Sequence, residues 1–310
     1  MRDLRELAVV YDAAIPFLVD RAGLGIGAVV NVQSQRGYHH ARQGQDCNQI
    51  TDHRESDATR ARARYHERME QLQRGRRVAF FGGSFDPPHL GHLAVARAAR
   101  AALHLDTVLF APVGAQPLKP HGSSAGFEDR LAMTRLAIAG EPGFAVSLAD
   151  APNPSGAPNF TLETLLGLRA ELQPDGVLFC LMGADSFFSL RRWHRAAEIP
   201  FAAPLIVASR PGQQLDDLRA ALPEGLTMDS APGTEPASSE LAIRTCWLQN
   251  PAGDSAPFYL LPGLNVEISA SQVRDSIREQ ARAASGTPIA GFELLPEAVL
   301  DYIRAHDLYR

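Results

Sequence analysis

The sequence predicts an α/β protein built on a doubly wound, mainly parallel sheet, and three observations carry that prediction. From Arg77 onward short apolar runs alternate with helical patterns, the rhythm of successive βαβ units. The first apolar run ends in Gly82 and Gly83 and leads at once into a helical pattern. The stretch ahead of it, 33–77, has a different texture, with ten Arg, four His and almost no aliphatic residues.

The elements follow in order. RVAFFG at 77–82 is the first strand, stopped by its glycines, and a helix over 90–103 follows. TVLFAP at 107–112 is the second strand, followed by a helix over 126–140 that carries FEDRLAM. FAVSL at 144–148 and a helix over 161–172 form the third unit, and GVLFCLM at 176–182 is the fourth strand. PLIVAS at 204–209, a helix over 213–222 and PFYLL at 257–261 continue the alternation, which helices over 271–283 and near 295–306 close. Pro, Gly and Ser thicken over 223–256, an irregular insertion in which LAIRTCWLQ reads as one extra strand. The expected sheet has five or six strands.

The domain is placed at 77–310 and an N-terminal extension at 1–76. Residues 1–30 hold an amphipathic pattern and a Gly-rich apolar patch, but 33–77 cannot bury enough apolar surface to offset its ordering entropy. The extension is expected to be poorly ordered, with a short helix over 59–73 at most, or to be an over-extended start-site assignment, since Met69 stands just ahead of the first strand.

Composition narrows the partners. Residues 1–77 carry thirteen Arg against ten acids, whereas 78–310 carry seventeen bases against twenty-five acids, so the body is acidic and ill suited to duplex nucleic acid. No apolar run approaches the roughly 18 residues of a membrane span, and no signal-peptide pattern opens the chain, which makes a cytoplasmic address the expectation. The three cysteines, Cys47, Cys180 and Cys246, are too scattered for a disulfide or zinc framework and read as inert thiols. Lys119 is the only lysine in the chain.

The chemistry concentrates in GGSFDPPHLGH at 82–92. Glycines at the end of a strand let backbone N–H groups approach a phosphate, and the helix beginning near Leu90 points its unsatisfied N–H groups and positive dipole end at the same spot. His89 stands just before that helix and His92 in its first turn, so both imidazoles can donate to one phosphoryl group as charge builds in an in-line displacement. The GxGxxG of a dinucleotide fold and the GK[ST] of a Walker loop are absent, and a zinc site on the two histidines would need a third ligand that the sequence does not identify.

This string resembles the HxGH-bearing signature of the nucleotidyltransferase superfamily, and ISASQVR at 268–274 resembles its ISxTxxR element. Ser269 and Ser271 are good N-cap residues and Arg274 falls one turn in, so the physics of a phosphate-facing helix start agrees with the likeness. Within the superfamily, GADSFFSLRRWHR at 183–195, VASRPG at 207–212, FTLETL at 160–165 and the ending over 294–309 resemble the bacterial nicotinate mononucleotide adenylyltransferases. The likeness covers about 77–310 and implies a Rossmann-like nucleotidyltransferase fold.

Carried over residue by residue, the resemblance implies that Gly82, Gly83, Ser84, Phe85, Gly91, Asp185, Ser269, Ser271 and Arg274 bind ATP, while His89, His92, Lys119 and Arg274 act on its phosphates. Thr161, Thr164, Trp193 and Arg195 are assigned to the acceptor, with His194 as a lesser candidate and Arg130 as support for the site. Competing readings stay open: helix capping for Asp185, core packing for Trp193, a surface ion pair for Arg130. Three positions depart from the family pattern: Glu163 for Asp, Ala270-Ser271 for Ser-Thr, and Leu118 for a His.

The implied reaction is adenylyl transfer from ATP to nicotinate mononucleotide, giving nicotinate adenine dinucleotide and pyrophosphate, with Mg²⁺ carried on the ATP phosphates rather than bound by the protein. The alternatives are adenylyl transfer to nicotinamide mononucleotide or phosphopantetheine, and a non-catalytic nucleotide- or RNA-binding protein. The partners expected are the two substrates, without nucleic acid or membrane, and the sequence leaves homo-oligomerisation open.

Overall fold

Residues that face helices on both sides of a sheet must be apolar at successive positions, and the strands of this chain are. The computed structural model describes residues 76–116, 118, 122–209, 215–230, 243–261, 269–282 and 292–310. The expectations placed on the extension, on Cys47 and on Lys119 lie outside the described residues.

Eight strands form one sheet: β1 (Arg77–Gly83), β2 (Thr107–Pro112), β3 (Phe144–Val146), β4 (Val177–Gly183), β5 (Leu205–Ala208), β6 (Thr227–Ser230), β7 (Arg244–Gln249) and β8 (Ser255–Leu261). Their order is β3-β2-β1-β4-β5-β8-β7-β6. The six from β3 to β8 are parallel, and β7 and β6 add an antiparallel ribbon on the β8 side. The expectation of five or six strands is thus corrected to eight. LAIRTCWLQ does supply a strand, but TMDS, short and half polar, carries no strand pattern of its own and pairs because β7 offers it an edge.

The helices are α1 (Leu90–Leu103), α2 (Phe127–Ala137), α3 (Thr161–Glu171), α4 (Ala184–Ser189), α5 (Ile199–Ala202), α6 (Leu215–Ala220), α7 (Ala270–Arg282) and α8 (Glu297–Ala305). Strand alternation sorts them into layers. Val78, Phe80, Leu178, Cys180, Met182, Leu205 and Val207 project to one face with Leu162 and Leu165 of α3, Phe187 of α4 and Ile199 of α5. Ala79, Phe81, Phe179, Leu181 and Ile206 project to the other, against Leu93, Ala96, Ala99 and Leu103 on one stripe of α1. Burial pushes the Cys180 thiol up to about 12, and Cys246 is raised for the same reason, so both are inert at neutral pH.

A third cluster stands apart from the sheet. Met133 and Ala137 of α2, Val273 and Ile277 of α7, and Val299 and Ile303 of α8 pack with Ala125, Leu295 and Tyr309. Among the described residues no helix is long and apolar enough to cross a membrane.

Candidate active site

From β1 the chain turns outward to β2 and β3, then crosses back to pair β4 against the free side of β1, with Val78 opposite Leu178 and Phe81 opposite Leu181. A doubly wound sheet opens its crevice at this reversal, beyond the carboxyl ends of the strands. A cavity of about 830 Å³ lies there. Its lining includes Gly82, Gly83, Ser84, His89 and His92 after β1, Asp185, Trp193 and His194 after β4, and Ser269, Ser271 and Arg274 at the start of α7.

Why the first strand ends in two glycines is a matter of its own neighbours as well as any ligand. A Cβ at Gly82 would lie 2.8 Å from the Phe80 ring, and one at Gly83 would lie 3.2 Å from the Phe85 ring. Phe85 itself has a φ of 46° and is 1% exposed, an unusual backbone for a bulky side chain, held by ring contacts to Phe81, Phe110 and His92. It lines the cavity, but as the floor beneath His92.

The two histidines meet as a stacked pair, ring centroids 3.7 Å apart at 30°. His89 sits in extended backbone as the N-cap of α1, and its N–H donates to Nδ1 of His92 at 3.1 Å. With Nδ1 accepting, neutral His92 carries its proton on Nε2. Burial lowers His89 to about 4 and pulls His92 well below the usual imidazole range, with the charge of His89 opposing a second charge on His92. Both rings are therefore neutral at pH 7 in the free protein. Nδ1 of His89 is buried without a partner. Gly91, also on the lining, is buried between them in the chain.

Asp86, in the same loop, is 4% exposed and makes no use of solvent. Its Oδ2 accepts from the Ser124 N–H at 2.6 Å, and its Oδ1 from the Ala125 N–H at 3.0 Å and the Tyr309 hydroxyl at 2.7 Å. Arg130, 2% exposed, donates to the carbonyls of Ser84, Val113 and Ala125 at 2.7, 2.8 and 3.3 Å, so it braces the loop from below instead of forming a surface ion pair.

The start of α7 is capped by two side chains. Ser269 Oγ accepts from the Ser271 N–H at 3.2 Å, while Gln272 Oε1 accepts from the Ser269 N–H at 3.1 Å. Arg274 donates through one terminal nitrogen to the Asp86 carbonyl at 2.7 Å and through the other to Ser271 Oγ at 3.1 Å, and its Nε is buried without a partner. The two motifs thus touch, through residues 188 positions apart in sequence.

On the α4 side, Asp185 stands in the first turn of α4 and is exposed to the cavity, with Gly183 and not Asp185 as the N-cap. Trp193 is half-buried against the core, lines the cavity and donates through Nε1 to Ser189 Oγ at 3.0 Å, so it packs as a core residue and also reaches the cavity. Thr161 opens α3 at the cavity, but Thr164, one turn further, is buried and donates to Asp150 Oδ1 at 2.6 Å. Thr164 is not among the lining residues, whereas its partner Asp150 is. His194 leans on Phe160 at 4.4 Å with its Nε2 3.7 Å from Glu163. Arg195 does not reach the lining: its left-handed backbone, φ 50°, turns the guanidinium onto Glu198 at 2.8 and 2.6 Å, with Glu163 at 3.6 Å.

Sequence motifs assign no role to three residues of this region. Asp150 follows β3 in an irregular turn without a motif, and burial raises its carboxyl above the usual range while the Thr164 hydroxyl opposes the rise. Asp86 lies inside the signature, yet its partners are scattered over more than two hundred positions. Tyr309 closes the ending that resembles the adenylyltransferases, a likeness that gives it no role.

Comparison with known proteins bears on this arrangement. The family model described as cytidylyltransferase-like matches residues 80–275. A protein of Gloeobacter violaceus named probable nicotinate-nucleotide adenylyltransferase is 37% identical over 236 residues, 76% of this chain and 97% of its own. One of Laribacter hongkongensis with the same name is 38% identical over 234 residues, 75% of this chain and 94% of its own. Among solved structures, the Plasmodium falciparum nicotinic acid mononucleotide adenylyltransferase complexed with APC aligns over 76% of this chain and 97% of its own, with a TM-score of 0.52 at 14% identity. At that identity the likeness is one of fold.

Proposed function

The chain belongs to the cytidylyltransferase-like family and, within it, to the nicotinate-nucleotide adenylyltransferases, and from that membership we propose how its cavity carries out the transfer of adenylate from ATP to nicotinate mononucleotide. An oxygen of the mononucleotide's 5′-phosphate attacks the α-phosphorus of ATP in line. The new P–O bond forms as the bond to the bridging oxygen of pyrophosphate breaks, giving nicotinate adenine dinucleotide without a covalent enzyme intermediate.

The observation that carries this reading is the convergence of two neutral, stacked imidazoles at the start of α1 with the guanidinium of Arg274 at the start of α7. Neutral rings with an N–H to offer stabilise charge on the α-phosphate without holding the substrate as a fixed ion pair, so they act more on the transition state than on the ground state. His92 donates from Nε2, and His89, whose Nδ1 is buried, from its other ring nitrogen, while Arg274 and the N–H groups of the capped helix meet the departing pyrophosphate. Lys119, which lies outside the described residues, is assigned to the same phosphates.

Trp193 offers a face for the pyridine ring, and Asp185 an acceptor for ribose hydroxyls. Thr161 completes the acceptor side. Magnesium is assigned to the nucleotide's phosphates, where it would neutralise charge on the leaving group. The expected compartment is the cytoplasm.

The test is the acceptor. Initial rates of pyrophosphate release with nicotinate mononucleotide, nicotinamide mononucleotide and phosphopantetheine are compared at fixed ATP. The first is expected to dominate in kcat/KM, and a preference for either of the others overturns the assignment.

A further inference from the structure

The C-terminal end of the chain reaches the loop that carries the histidines. Tyr309, 8% exposed, places its hydroxyl 2.7 Å from Oδ1 of Asp86, across 223 residues of sequence. The carboxylate it meets is already held by the N–H groups of Ser124 and Ala125, ahead of α2. The backbone carbonyl of the same residue accepts from Nη1 of Arg274 in α7, and that nitrogen also lies 4.0 Å from Oδ2. Asp86 is therefore the point at which the phosphate loop, the α2 entry, the α7 guanidinium and the chain terminus meet.

We propose that Tyr309 is a positioning residue for the triphosphate half of the site: its hydroxyl fixes Asp86, and Asp86 fixes where the Arg274 guanidinium stands. The inference rests on the adenylyl-transfer reading above and adds a residue to it. Three features of the structure support it. First, α7 packs through Val273 and Ile277 into the cluster that Tyr309 shares with α2 and α8, so its attachment to the sheet is indirect. Second, the Arg274–Asp86 contact is a direct polar link from α7 to the phosphate loop. Third, burial and the Asp86 charge push the Tyr309 hydroxyl far above the usual phenol range, so it remains a proton donor at every working pH.

A guanidinium that shifts by a fraction of an ångström loses hydrogen bonds to phosphate while the acceptor's side of the cavity stays as it was. The consequence separates positioning from general stability. Tyr309→Phe keeps the buried ring and removes only the donor, and it is compared with wild type, Arg274→Ala and the double variant. The expected result is a rise of roughly three- to tenfold in KM for ATP, the loss of one hydrogen bond's worth of fit, with KM for nicotinate mononucleotide within about twofold of wild type. Calorimetric titration of ATP without acceptor shows the same loss. In the Arg274→Ala background the Tyr309→Phe substitution has no further effect on ATP affinity.

The proposal is overturned if Tyr309→Phe leaves ATP affinity unchanged, if it changes both Michaelis constants alike, or if its effect adds fully to that of Arg274→Ala. A wild-type protein that binds ATP but releases no pyrophosphate with nicotinate mononucleotide would overturn the reading of function instead, and the calorimetric comparison would still decide the role of Tyr309.

Discussion

The N–H of His89 donates to Nδ1 of His92 at 3.1 Å, so one nitrogen of the second histidine is committed to the turn that presents it and only Nε2 is left for a phosphate. The ring also packs against Phe81 and Phe85 and is half-buried. On the proposed mechanism, structural and chemical duties thus sit on the two nitrogens of one side chain.

They separate by substitution. His92→Asn keeps an acceptor near Nδ1 and deletes Nε2, whereas His92→Ala deletes both and leaves a hole among the rings. Both variants are expected to lose about 10²- to 10³-fold in kcat, the usual cost of one oxyanion donor. Only the alanine variant is expected to lose an additional 1–3 kcal/mol or so of stability, read by urea denaturation. Equal stability of the two variants would contradict the capping role.

The depressed histidines make a prediction about acid. His89 titrates at about 4 when folded and near the ordinary imidazole value of 6.5 when unfolded. Between those values the unfolded chain takes up a proton that the folded one refuses, so stability falls as pH falls through this window and is unaffected by His89 above it. By pH 4 the loss from His89 is about 3 kcal/mol, and His92 acts in the same direction. Melting midpoints of wild type and His89→Asn/His92→Asn between pH 8 and 4 should diverge below pH 6.5, with wild type falling faster. Parallel curves would refute the shifts.

What the sequence makes legible follows the physics of each signal. The core strands stand out because both faces are buried, which leaves runs such as VLFCLM with no polar interruption. The β6 strand does not, because an edge strand of four residues with Asp229 and Ser230 in it resembles a loop. At the site, the spacing of His89 and His92 fixes their meeting because both lie within one helical turn. The facing of Arg195 depends on a left-handed residue that no local pattern announces, and the depth of Thr164 depends on Asp150, fourteen residues earlier in a turn without regular structure.

Arg130 is the clearest case of a charge serving the backbone. Its guanidinium forks onto three carbonyls, two of them from the phosphate loop and the end of β2, and burial lowers its pKa against the pull of Asp86 and Tyr309. Arg130→Ala is expected to cost on the order of 3 kcal/mol or more, since carbonyls are left unpaired and a cavity opens. Arg130→Lys should recover part of that, because an ammonium cannot reach all three positions at once. Chemical denaturation of the three proteins gives the order.

Gly82 tests whether the first glycine is required by its neighbour. A Cβ there would come to 2.8 Å from the far edge of the Phe80 ring, which is 2% exposed. Gly82→Ala is expected to lose about 1–3 kcal/mol as an overpacked site. Phe80→Leu shortens the obstructing side chain, so the double variant should lose less than the sum of the two single losses. Strict additivity would show that the glycine serves the ligand alone.

Thr164 and Asp150 give a prediction in which pH reports on one carboxyl. Burial raises Asp150 and the Thr164 hydroxyl holds that rise in check by donating to the charged form. Thr164→Val keeps the shape and removes the donor, so the folded pKa of Asp150 rises further above its unfolded value. A raised carboxyl pKa means that the folded state holds its proton longer, and stability is lost as pH rises through the folded pKa. The variant should therefore be about 1–3 kcal/mol less stable than wild type near pH 7, where the charged oxygen lacks its partner, and the gap should narrow on acidification as the carboxyl is protonated. Thr164→Ser, which retains the hydroxyl, should stay close to wild type across the range. Because the histidines are common to all three proteins, their opposite trend cancels in the difference between melting curves, and a gap that stays constant with pH would show that Asp150 does not sense the hydroxyl.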